Sequence, residues 1–210
     1  MDLDFGFIAT TFIVLIASLT FHEAAHAWTA NILGDPTARL LGRLSLNPAV
    51  HVDPIGTILF PLIAIVTGAP LIGWAKPVPV DMRNLKEPKR DFALVALAGP
   101  VSNLILAVGG AAVIMAVFGD DRSALREGDP VAVGMFYFVL INVLLAVFNM
   151  IPIPPLDGGN VLIGILPPKL GELVEQLRAW GFILLYLLLF SGVLAAITRP
   201  IQRFLLGVLL

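Results

Sequence analysis

His22, Glu23 and His26 sit near the end of an apolar stretch that begins at Phe5, so three strongly polar side chains occupy the place of a membrane-crossing helix. In an α-helix, residues four apart share a face. His22 and His26 can therefore offer ring nitrogens to one metal ion, while Glu23 stands beside them to take a proton from water. This His-Glu-x-x-His spacing is that of a zinc hydrolase. Ionisable groups at membrane depth are costly and are read first as a functional site. The plainer reading makes the histidines helix-end groups bonded to backbone or lipid headgroups; it leaves their coincidence with a second polar cluster unexplained.

That second cluster is Asn149-Met-Ile-Pro152-Ile-Pro154-Pro155-Leu156-Asp157-Gly158-Gly159. An aspartate after a proline-broken helix end, followed by two glycines, is a carboxylate on backbone that turns sharply and approaches something closely. Asp157 could be a third metal ligand. Two histidines and one carboxylate leave a fourth position on Zn²⁺ open for water, the pattern of a catalytic site. Alone, Asp157 reads better as the N-cap of a short helix starting near Gly158; beside the histidine pair, ligation is the stronger reading. Asn149 could bond the substrate backbone or a developing oxyanion, or equally could join two helices. Asn103 and Asn142 lean toward the structural role. His51, the one other histidine, could be a fourth ligand in a resting state, but a hydrogen-bonded structural role in the Asn47–Pro54 turn is favoured.

Composition sets the solvent. The 210 residues are 58% hydrophobic and 13% charged, with a mean hydropathy of +0.94, far more apolar than one soluble core can hide. The chain is therefore expected to be an integral membrane protein of one compact helical domain, residues 1–210. A net charge of −2 argues against a nucleic-acid partner, and the absence of cysteine leaves His, Asp and Glu as the metal ligands. The first apolar stretch lacks a basic n-region and carries the metal motif, so it does not read as a cleaved signal peptide.

Apolar blocks at about 5–33, 55–73, 92–118, 131–151 and 179–198 approach or exceed the ~20 residues that cross a bilayer. They predict an all-α membrane bundle of four to five transmembrane helices. The 55–73 block holds Pro61, Pro70, Gly56 and Gly68 and predicts a kinked or re-entrant element. Gly42–Asp53 and Gly73–Val80 predict short interfacial strands or irregular segments. Seven Lys/Arg between 34 and 91, against four acids and two arginines in 119–130, place the first connection in the cytoplasm and the second outside. His22 and His26 lie toward the end of one span and Asp157 just past the end of another. Meeting requires these spans to run in the same direction, with 92–118 as the single crossing between them.

His22-Glu23-x-x-His26, Asn149 and Leu156-Asp157-Gly158-Gly159, with Asn47-Pro48-x-x-His51-x-Asp53-Pro54, Gly73-Trp-Ala-Lys-Pro-Val-Pro and Ala98-Gly99-Pro100-x-Ser102-Asn103 between them, resemble the site-2 protease family of intramembrane zinc metalloproteases, peptidase family M50. The likeness runs over about 5–165 and is to the compact bacterial and archaeal type without a PDZ-like or CBS domain. It implies one Zn²⁺ per chain held by His22, His26 and Asp157, Glu23 as general base, Asn149 near the substrate carbonyl, and 173–198 as an accessory helix. It also implies a multi-pass protein of a prokaryotic cell membrane acting on transmembrane segments of other proteins. A membrane helix hides its amides, so a substrate must unwind before hydrolysis. Gly42–Asn47 and Ala75–Val80 are candidate edges to receive it as an added strand. The competing readings are a membrane zincin that uses Glu172 or Glu175 as third ligand, a transporter, and a closed structural zinc site.

Overall fold

The computed structural model of the chain describes residues 5–67, 73–119 and 128–209. Its first helix, α1 (Phe5–Leu33), runs unbroken because no glycine or proline falls between Phe7 and Leu33. It stops at Gly34, whose φ of +116° only glycine adopts without strain. A single turn, α2 (Thr37–Leu40), follows; then a π-helical turn, Pro54–Leu59, leads into α3 (Phe60–Thr67). Helix α4 (Pro88–Phe118) and α5 (Pro130–Asn149) each open on proline, whose missing N–H costs nothing at that position. Asp129 caps α5 by accepting the Val131 and Ala132 amides. The chain ends in α6 (Asp157–Ile165), α7 (Pro168–Gln176), α8 (Gly181–Phe190) and α9 (Val193–Leu209).

Helix α4 is the centre of the bundle, packed against α1, α5 and α6. Ala24, Ala27 and Ala30 of α1 are wholly buried, and Ala107 and Ala111 of α4 meet Val139, Val143 and Val147 of α5. Between helices in lipid the hydrophobic drive is weak, and small side chains gain by letting backbones approach. The large apolar residues point outward instead, among them Ile13, Ile32, Ile105, Val108 and Met115.

Among the described residues three helices are each long and apolar enough to cross a membrane, Gly6–Leu33, Pro88–Phe118 and Pro130–Asn149, and the bent pair Pro168–Trp180 and Ile183–Phe190 makes a fourth if it crosses as one broken span. The apolar helix at Pro54–Ala64 is too short to cross; Asp53 starts it by accepting the Ile55 and Gly56 amides, which turns the chain at the bundle end. Residues 68–72, with Gly68 and Pro70, lie outside the described residues, as does the acidic run 120–127. The single helix expected over 173–198 is divided into α7, a tight turn at Leu177–Trp180, α8 and α9. Gly192, at φ +76°, makes the last break.

No strand occurs among the described residues, in contrast to the expected interfacial strands. Residues 73–80 are extended but solitary: Trp74 N donates to Gly56 O at 3.1 Å and Lys76 N to His51 O at 2.9 Å. Pro77 and Pro79 lack the donors that a longer ladder needs. A buried carboxylate fastens the end of this segment. Asp35, just past α1, accepts from the Asp81 amide at 2.7 Å, from Asn84 at 2.9 Å and from Thr37. The connection from α1 to α4 thus leaves and rejoins the bundle at the same end.

Candidate metal centre

His22 and His26 project from the last third of α1, their rings 4.7 Å apart and nearly perpendicular. Both side chains and that of Glu23 are buried. The His22 ring meets Asn103 Oδ1 through Nδ1 at 2.6 Å, and His26 meets the Val95 carbonyl through Nδ1 at 2.7 Å, both partners on α4. Asn103 is itself oriented, because its Nδ2 donates to Asn142 Oδ1 at 2.8 Å, and Asn142 donates to Ser18 Oγ at 2.9 Å. With its amide so turned, Asn103 has only an acceptor for His22. Each imidazole therefore carries a proton on Nδ1 and turns Nε2 inward, the tautomer that ligates a metal through Nε2.

Asp157 meets both Nε2 atoms. Its Oδ2 is 3.0 Å from His22 Nε2 and 3.5 Å from His26 Nε2, and it is buried without a hydrogen-bond donor. Asp157 is the first residue of α6, whose N-cap is Leu156 with no side-chain cap bond, so the capping role considered for Asp157 is not the one it plays. His22 Nε2, His26 Nε2 and Asp157 Oδ2 thus converge on one place, and with both Nδ1 atoms committed to α4 these three atoms would hold a metal ion there. Ligands at ~2.0–2.1 Å in a tetrahedron lie about 3.3 Å from each other, which the two observed separations bracket. The donor set, nitrogen and oxygen without sulfur, suits Zn²⁺.

Gly99, read in the sequence only as part of a motif and given no role there, borders the site. It stands on α4 one position before Pro100, and a Cβ there would lie 2.4 Å from His26 Nε2 and 2.6 Å from His22 Nε2. Space for a metal ion depends on its having no side chain.

Glu23 is held from the other side. Its Oε2 accepts the Val78 amide at 2.9 Å, so the extended segment 73–80 lies along the carboxylate. Arg43, also buried, donates Nη2 to Lys76 O at 2.6 Å beneath the same segment. His22, Glu23, Asp157 and Asn149 line one cavity of about 280 Å³ with Ala75, Pro77, Leu185 and Tyr186. Within it Asn149 Nδ2 is turned back to the Leu145 carbonyl of its own helix, at 3.0 Å. His51 is elsewhere: buried in the turn, its Nε2 meets Ser45 O at 2.8 Å and its carbonyl accepts Lys76, which fits the structural reading. Glu172 and Glu175 are exposed on α7, and Glu175 pairs with Arg178 at 2.6 Å, so neither supplies a third ligand here.

A helical pair of histidines with an adjacent glutamate, closed by a carboxylate at a helix start inside a membrane bundle, defines a metallopeptidase class of site. The chain belongs to peptidase family M50, which matches residues 10–191. It is 42% identical to YwhC of Bacillus subtilis over 182 residues, 85% of this chain and 78% of that one. It is 32% identical to Rip2 of Mycolicibacterium smegmatis over 187 residues, 87% and 69% of the two chains. Zinc metalloprotease MJ0392 of Methanocaldococcus jannaschii is 28% identical over 167 residues, 80% of this chain and 37% of that one. No solved structure matches the chain. The protein is a zinc metalloendopeptidase with Zn²⁺ as its cofactor.

Proposed function

We propose that the protein, as a single domain in a prokaryotic cell membrane, cuts peptide bonds within or beside transmembrane segments of other proteins, with His22, His26 and Asp157 holding the zinc. The observation that carries this reading is the depth of the site. His22, Glu23 and His26 lie inside α1, a helix that can cross a bilayer, against α4, a second one, and Asp157 reaches them from the start of α6 just past the end of α5. Bound there, Zn²⁺ would lower the pKa of a water toward ~7 and polarise the scissile carbonyl.

The rest is the work of the chain. Glu23 has one oxygen fixed by the Val78 amide and the other free to accept the attacking water's proton and pass it to the leaving nitrogen. Asn103 and the Val95 carbonyl keep both imidazoles in the tautomer that ligates. Asn149 reaches the substrate carbonyl or oxyanion by exchanging its Leu145 bond for one into the cavity. The segment 73–80 receives the unwound substrate as an added strand.

The test is cleavage of a single-span peptide in lipid vesicles, with the cut mapped by mass spectrometry, by wild type and Glu23→Gln. A cut within or next to the span that vanishes with Glu23→Gln supports the reading. Cleavage confined to water-exposed tails contradicts it.

A further inference from the structure

Arg43 is the one Lys or Arg that is buried among the described residues, at 8% exposure. A buried guanidinium is costly unless its charge and its donors are met. Gly42, at φ +68°, turns the chain directly before it, and Arg43 donates Nη2 to Lys76 O at 2.6 Å. Among the described residues it joins no ion pair, and its Nε has no hydrogen-bond partner. Burial pushes the guanidinium's pKa down, and the Glu23 carboxylate is the charge that opposes this shift.

The stretch that Arg43 holds is stiff. In Lys76-Pro77-Val78-Pro79 each proline locks its own φ, and each residue before a proline is confined to extended backbone. Lys76 is fixed at both backbone groups, its N–H on His51 O at 2.9 Å and its carbonyl on Arg43. Residues two apart in extended backbone turn their groups the same way, ~6.6 Å further along. Val78 N–H therefore points to the side on which Arg43 lies, and there it meets Glu23 Oε2 at 2.9 Å.

We propose that Arg43 is a positioning residue for Glu23. It anchors the stiff stretch at Lys76 O, the stretch carries Val78 N–H to a set place, and that amide holds Oε2 so that Oε1 is kept for the attacking water. The inference rests on the reading of Glu23 as general base, and it adds what aims that base.

The experiment compares full-length wild type, Arg43→Met and Arg43→Lys in detergent by zinc content, by kcat and KM on a single-span peptide, and by amide hydrogen exchange at Lys76 and Val78. Pro77 and Pro79 carry no amide hydrogen, so the Val78 signal stands apart from its neighbours. Arg43→Met is expected to keep about one zinc, to exchange the Val78 amide about tenfold or more faster, and to lose roughly 10–100-fold in kcat while KM moves by less than about threefold. Arg43→Lys keeps the charge without the fork and should show both effects at about threefold to tenfold; it decides the question alone if Arg43→Met does not fold. Cleavage with unchanged kcat in the variants, or unchanged Val78 exchange, would keep the protease and overturn the inference. Faster Val78 exchange in the variants of a wild type that cuts nothing would keep the placement of Glu23 by Arg43 and remove the protease reading. No cleavage with unchanged exchange would overturn both.

Discussion

At the scale of single residues, the site depends as much on what is missing as on what ligates. Gly99 leaves the space between the two Nε2 atoms, so Gly99→Ala should yield a folded protein that retains little zinc, read by metal analysis after gel filtration. Asn103 fixes the His22 tautomer, so Asn103→Leu should weaken zinc affinity by about 10–100-fold while leaving Glu23 in place; chelator competition measures it. As a candidate site, His22, Glu23 and His26 could be proposed from the sequence because their types and helical spacing restrict the chemistry, and Asp157 because a carboxylate follows a proline-broken helix end. Asn103 and Gly99 could not. Asn103 acts on a residue 81 positions away, and an asparagine or glycine in an apolar helix has many ordinary reasons to be there.

At the scale of elements, the extended segment 73–80 is positioned by its flanks rather than by a sheet. Asp35 does most of this at one end. Burial alone would push its carboxyl up, but donation from Thr37, Asn84 and the Asp81 amide outweighs that and holds it below the usual carboxylate range. A carboxyl whose folded value is depressed contributes fully above its unfolded value and loses that contribution as pH falls through the folded one. Asp35→Asn should therefore lower stability by about 1.5–3 kcal/mol at neutral pH. The gap from wild type should narrow from about pH 5 downward, measured as thermal unfolding in detergent. The blocks at 92–118 and 131–151 were readable from apolar length, though α4 begins earlier, at Pro88, and the irregular backbone near Pro77 and Pro79 was readable from its prolines. The division of 173–198 was not, because a run such as Leu184-Leu185-Tyr186-Leu187-Leu188-Leu189 predicts continuous helix, and only the tight turn at 177–180 and Gly192 break it.

At the scale of the molecule, parity governs the arrangement. The ends of α1 and α5 meet at one site, so α4 is the one crossing between them and both ends of the 34–87 connection share a side. The chain contains no cysteine, so single cysteines report this directly. Lys86→Cys and Ser123→Cys should react with an impermeant maleimide on opposite sides, the second in intact cells and the first only after permeabilisation. The sequence carried this parity through its charge asymmetry and the need to bring Asp157 to the histidines; apolar length alone did not separate the crossing helices from the short apolar helix at Pro54–Ala64. The most direct test of the whole account is zinc per chain, measured together with cleavage, for wild type, Glu23→Gln and Asp157→Ala. The account predicts about one zinc with cleavage, about one zinc without cleavage, and little zinc without cleavage, in that order. Full zinc in the Asp157→Ala protein, or loss of zinc from Glu23→Gln, would contradict the assignment of ligands and base.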